Sequence, residues 1–345
     1  MRATVFHGPN AVRVEEVPDP VLRSSRDAVV RITHACVCGS DLWPYSGGSP
    51  KEPGTRIGHE LLGVVEAVGD AVTTVQVGDL VLSPFTWSDG SCDYCRRGLT
   101  TSCVRGGFFG GPTGADGGQA EAALVPQADG TLVRLPKDLL GDSRLRSVLP
   151  LTDVLPTGHH AAVSAGVGPG STVAVIGDGA VGLCGVLAAA RLGAERIVAL
   201  GRHESRLELA RRFGATDVVT ARGEEAVAQV RELTGGGVDA ALECVGQQTS
   251  FDTALGVVRD GGRVGYVGVP AGVKGINLGT VFRRNVTISG GIAPVRSYLD
   301  ELLPDVLDGR LDPAPVLDRS YSLDGVPDAY LDMSERRTLK AMIEV

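Results

Sequence analysis

No stretch of this sequence stays apolar for the ~18 residues that a bilayer crossing requires, so no membrane span is expected. The opening residues, MRATVFHGPN, hold no apolar core of signal-peptide length, and a cytoplasmic protein is the expectation. Basic residues are in deficit: 33 Lys and Arg stand against 41 Asp and Glu, a net charge of −8. A nucleic-acid surface is therefore not expected. Internal repeats and low-complexity tracts are missing as well. The seven cysteines, Cys36, Cys38, Cys92, Cys95, Cys103, Cys184 and Cys244, form an odd set with several close spacings. Without an export signal that pattern favours thiols and metal ligands over disulfides. What is present is an ordinary globular balance, 43% hydrophobic and 21% charged, over 345 residues, enough for about two domains.

The texture changes along the chain. Up to about residue 149, short apolar-polar alternations such as AVRVEEV, DAVVRITHA, LLGVVEAV and DLVLSPF are broken by turns at Gly8-Pro9-Asn10 and Pro18-Asp19-Pro20. This predicts a β-rich region. Beyond it strand-like and helix-like segments alternate, from TVAVIG and LCGVLAAARLGA to SFDTALGVVRDG and GRVGYVGV. That rhythm predicts a doubly wound parallel sheet with helices on both faces. A further helix, SYLDELLPDVLDG, and a β-like tail, TLKAMIEV, follow. The tail needs a sheet to pair with and is expected to rejoin the first domain.

The stretch at residues 172–182, TVAVIGDGAVG, reads as a buried strand, a glycine turn and the start of a helix. This is the context a dinucleotide-binding turn requires. Gly177 permits the tight turn, Gly179 admits a pyrophosphate close to backbone, and Gly182 lets helix and strand pack closely. Ala180 and Val181 open the helix, whose free N–H groups and partial positive charge suit phosphate. With 48 glycines in the chain, a ligand-free αβ turn is the alternative reading. After the second strand, Arg196–Leu200, an NAD-selective protein carries an acidic residue for the ribose 2′-hydroxyl. That position is Gly201, followed by Arg202 and His203. The missing carboxylate and the available guanidinium favour NADP(H) over NAD(H).

A metal set can also be written down. Cys38 lies in Cys36-Val37-Cys38-Gly39-Ser40-Asp41, His59 and Glu60 follow Gly58, and Asp153 ends Pro150-Leu151-Thr152-Asp153. A thiolate, an imidazole and a carboxylate make a catalytic zinc set with one position left open. They lie far apart in sequence, and a lone buried His or Cys is more often simply a core residue.

Taken whole, the chain resembles the zinc-dependent medium-chain alcohol dehydrogenases. The resemblance rests on Gly58-His59-Glu60-Leu61-Leu62-Gly63 with Gly69 and Val72, on the CGSD run, on Val77-Gly78-Asp79 and on the TVAVIGDGAVG stretch. It implies a GroES-like catalytic domain over residues 1–152 and 292–345 and a Rossmann domain over residues 153–291. It implies zinc on Cys38, His59 and Asp153, with Glu60 a neighbouring carboxylate able to coordinate transiently. Ser40 would take the alcohol proton. The histidine that often completes the relay three residues later is replaced by Trp43, which would wall the pocket or simply pack. Thr157 matches a position beside the nicotinamide, and Val245 with Val267-Gly268-Val269 would line the cofactor. Cys92, Cys95 and Cys103 match three ligands of a structural zinc lobe, and Asp89 stands where the fourth is usually Cys. The implied activity is reversible hydride transfer between an alcohol, a secondary one in bacterial relatives with Asp at the third ligand, and NADP, giving a ketone or aldehyde. The implied assembly is a homodimer or homotetramer. A polyol or aldehyde dehydrogenase using NAD, or a non-catalytic NADPH-binding redox sensor, are the competing readings.

Overall fold

The computed structural model describes residues 1–111 and 115–345, and these fall into two units: Met1–Asp153 with Pro294–Val345, and Val154–Ala293. Among the described residues no helix is long and apolar enough to cross a membrane.

The first unit is built on strand Ala28–Cys36, which is buried along most of its length. β-branched and small residues suit such a surface, packed on both faces. One edge pairs antiparallel with Glu60–Val68, which in turn pairs with Leu80–Ser83. At its far end the other edge pairs with Ala341–Glu344, which runs parallel to Arg319–Ser322. The tail thus joins the sheet of the first unit.

The register decides what meets at one end of this sheet. Cys36 lies opposite both Glu60 and Met342. Cys38, two residues beyond the first strand, therefore emerges beside His59, one residue before the second. Lys340 arrives from the third strand at the same end. A core of Ile32, Ala35, Leu61, Tyr330 and Ile343 backs the sheet, with the Tyr45 and Tyr330 rings 5.3 Å apart. The 3-10 turn Leu149–Thr152 is held against the sheet by the Phe85 N–H, which donates to the Thr152 carbonyl at 3.1 Å. That bond delivers Asp153 to the same place.

The second unit is a six-stranded sheet in which every pair is parallel. Its order is Asp217–Val219, Arg196–Leu200, Thr172–Ile176, Val238–Glu243, Val258–Tyr266, Thr287–Gly290. The order reverses beside Thr172–Ile176, a topological switch point, where ligands lie outside the carboxyl ends of the strands. One boundary differs from the sequence expectation. The helix predicted to run through SFDTALGVVRDG ends at Val257, and a strand begins at Val258. Val258 pairs with Val238, whereas Arg263 pairs with Ala240, so residues 259–262 bulge out of the ladder.

Candidate functional site

At the shared end of the first unit's sheet, Cys38, His59, Glu60 and Asp153 each present a ligand atom within 4.8 Å of the others. Cys38 Sγ donates to Asp153 Oδ2 at 3.2 Å, and His59 Nε2 lies 3.4 Å from the same oxygen. All but His59 are buried, and His59 is nearly so, its ring set edge-on to Phe85. Burial and the Asp153 carboxylate push the Cys38 thiol up to about 11. Burial opposes ionisation of Asp153 too, but the hydrogen bond and charge of His59 pull it down to about 2. For His59 itself burial lowers the pKa, and Asp41 and Cys38 more than reverse this, leaving it well above its ordinary value. Soft sulfur, nitrogen and oxygen donors with surplus negative charge at one buried point fit a divalent zinc ion. Such an ion converts the thiol to thiolate.

In the second unit the strand Thr172–Ile176 runs into Gly177, whose φ of +117° is open to glycine. A Cβ at Gly182 would stand 1.9 Å from the Gly177 carbonyl oxygen, so glycine is required for the helix Ala180–Arg191 to lie this close. A Cβ at Gly179 would meet nothing within 4 Å. Open space over the N-terminus of a helix opened by Ala180 and Val181 is where a pyrophosphate fits.

Two models cover the two halves of the chain: an alcohol dehydrogenase GroES-like domain at residues 24–137 and a zinc-binding dehydrogenase domain at residues 180–307. Zinc-type alcohol dehydrogenase B of Aspergillus flavus is 38% identical over 315 residues, spanning 89% of this chain and 72% of its own. The chain belongs to the zinc-dependent medium-chain alcohol dehydrogenase superfamily. Two solved relatives share the whole fold. Alcohol dehydrogenase TADH from Thermus sp. ATN1 is 37% identical at a TM-score of 0.91, covering 100% of both chains. The alcohol dehydrogenase of the archaeon Aeropyrum pernix is 31% identical at 0.88, again covering 100% of both.

This zinc-type dehydrogenase carries a second donor set in its first unit. Asp89, Cys92, Cys95 and Cys103 also gather within 4.8 Å. The Asp89 carboxylate accepts from the N–H groups of Ser91 and Cys92 at 2.7 and 2.8 Å and from Arg105 at 2.8 Å. These donors take up both oxygens, since Arg105 places Nε and Nη2 on Oδ2, so a metal held tetrahedrally by three sulfurs and this carboxylate would have to displace one of them. Ser40 is half-buried on the turn Gly39–Asp41. Trp43 packs over Gly48, where a Cβ would be 3.1 Å from its ring, which favours the packing role. Thr157 lies on helix Val154–Ser164 of the second unit. Val245 is exposed, and Val267 and Gly268 both donate to the Glu243 carbonyl.

Four residues of this dehydrogenase gain a place that sequence reasoning did not give them. Asp41 accepts from the Cys38 N–H at 3.0 Å and lies 3.4 Å from His59 Nδ1. It orients the imidazole as an outer carboxylate does for a metal-binding histidine. Lys340 meets Glu60 at 2.5 Å, with both side chains almost wholly buried. Burial alone would discharge the ammonium, but Glu60 holds it charged. Glu243 accepts from the N–H groups of Val245 and Gly246 at 2.9 and 2.8 Å and so ties down the turn that follows strand Val238–Glu243. Asp178, between the first two glycines of the turn, reaches the end of the second strand. Its Oδ2 accepts from the Arg202 N–H at 2.7 Å, the His203 N–H at 2.9 Å and His203 Nδ1 at 2.8 Å. Residues 201–203 themselves carry no carboxylate, as the sequence reads, but the Asp178 carboxylate reaches the same place from the turn. The signals were faint: a CGSD run with an unassigned Asp, and a lone Lys heading an apolar strand.

Proposed function

We propose that this protein catalyses reversible hydride transfer between a small alcohol, secondary in preference, and a nicotinamide dinucleotide. The observation that carries the reading is the convergence of Cys38, His59 and Asp153, remote in sequence, on one buried point with Glu60 beside it. Zinc held by these residues would supply a Lewis acid that acidifies the alcohol, while the nicotinamide supplies the hydride acceptor.

The chain's own residues do the rest. Asp41 fixes the His59 ring, and the ion pair of Lys340 with Glu60 places a carboxylate next to the ligand set without leaving its charge unbalanced. Ser40 can accept the alcohol proton and donate its own, because a hydroxyl does both. The second donor set, centred on Asp89, would hold a structural zinc. The glycine turn at residues 177–182 would bind the pyrophosphate. Between NADP(H) and NAD(H), Arg202 and His203 favour a 2′-phosphate, and the Asp178 carboxylate opposes it. Exposed Leu278 and Phe282 of the second unit support self-association as a dimer or tetramer.

Metal analysis with a screen of secondary alcohols and ketones tests the reading. About two zinc ions per chain, turnover abolished by a chelator and restored by zinc, and loss of turnover in Cys38→Ser are expected. A Cys38→Ser protein with full zinc and full turnover would refute it.

A further inference from the structure

We propose that Asp178 is the residue that reads the cofactor's 2′ position, and that it selects NAD(H) over NADP(H). The inference rests on the dinucleotide reading of the glycine turn and adds to it which dinucleotide is bound and by which side chain. In the usual arrangement the carboxylate grows from the end of the second strand. Here that position is Gly201, and the space its side chain would fill is taken: a Cβ there would stand 2.5 Å from Asp178 Cβ and 2.8 Å from Asp178 Oδ2. The acid has moved from the strand end to the turn, and the glycine has opened the room it occupies.

Three features fix the reading. Asp178 Oδ2 is anchored by two backbone N–H groups and by the His203 ring, so the carboxylate is held in one place. No hydrogen bond from the described residues falls on Oδ1, which leaves that oxygen to accept from a ribose hydroxyl. The N–H groups of Arg202 and His203 are the donors a 2′-phosphate would use at this turn, and they already serve Asp178. A phosphate would have to displace a carboxylate from its own donors and then lie beside it. Juxtaposed like charges of this kind are strongly unfavourable.

Binding of the two reduced cofactors to the intact protein, followed by quenching of protein fluorescence or by calorimetry, tests this without any turnover. The unaltered protein is expected to bind NADH at least about tenfold more tightly than NADPH. Asp178→Ala, which frees the two N–H groups, is expected to weaken NADH and strengthen NADPH, inverting the preference. Asp178→Asn keeps the shape while removing the charge, and is expected to narrow the ratio if Asp178→Ala does not fold. A preference for NADPH in the unaltered protein would overturn the assignment. So would a loss of both affinities in step, which is what a merely structural Asp178 would give. Binding of neither cofactor would overturn the dinucleotide reading itself, a distinct result.

Discussion

Charge balance at single residues governs the metal end of the first unit. Glu60 and Lys340 are each within 1% of complete burial, and neither tolerates isolation there. Lys340→Met is predicted to destabilise the protein by about 3–5 kcal/mol, because an uncompensated carboxylate remains. Lys340→Met combined with Glu60→Gln is predicted to recover much of that loss, since both charges are gone. Urea unfolding of the two variants in zinc-saturated buffer measures the difference. Cys38, His59 and Asp153 could be named from the chain because the short motifs around them resemble those of a known zinc family, whereas their spacing alone did not decide between metal and core. Asp41, Lys340 and Asp178 could not. Their importance comes from what they touch, and a carboxylate or an ammonium of ordinary type gives no hint of its neighbour across the fold.

Elements are where the sequence was most readable. The alternation of period-two and helical segments, with the glycine turn between, was enough to anticipate the parallel sheet, but the strand order and its switch point came only with the fold. The bulge at residues 259–262 was not, since it depends on how Val258 is drawn to Val238. Two glycines of the turn give a contrast that a single variant would not. Gly182→Ala is predicted to destabilise the fold by about 1–3 kcal/mol, because its methyl has no room beside the Gly177 carbonyl. Gly179→Ala is predicted to leave stability within about 0.5 kcal/mol and to weaken NADH about tenfold, roughly 1.4 kcal/mol. Thermal melts and NADH titration separate the two. In the first unit the helical turn Ala128–Thr131 is tied down by Asp129, which accepts from the N–H and hydroxyl groups of Thr73 and Thr74. Burial raises the Asp129 pKa, but those donors outweigh it and leave it below the ordinary value. A depressed native value means stability that is fully present above the unfolded-state pKa of about 4 and lost as pH falls through the native one. Asp129→Asn is predicted to show a shallower fall in urea midpoint than the parent protein over that acid range.

For the whole molecule, both donor sets lie in one unit and the glycine turn in the other. Chelation is therefore predicted to abolish turnover while leaving NADH affinity within about twofold, because the glycine turn that would hold the pyrophosphate is built from the second unit alone. Calorimetry before and after metal removal checks this, and a joint loss would show that the sites depend on each other. The sheet bearing the metal ligands is completed by Ala341–Glu344, after the chain has made all of Val154–Ala293. On a ribosome, where domains form as they emerge, Cys38, His59 and Asp153 are synthesised long before the strand that brings Lys340 to Glu60. Until Lys340 leaves the exit tunnel, Glu60 lacks its ammonium partner, and burying it is less favourable. The metal end thus lacks Lys340 for as long as Val154–Ala293 is being made, and through that interval it stays open to an incoming ion.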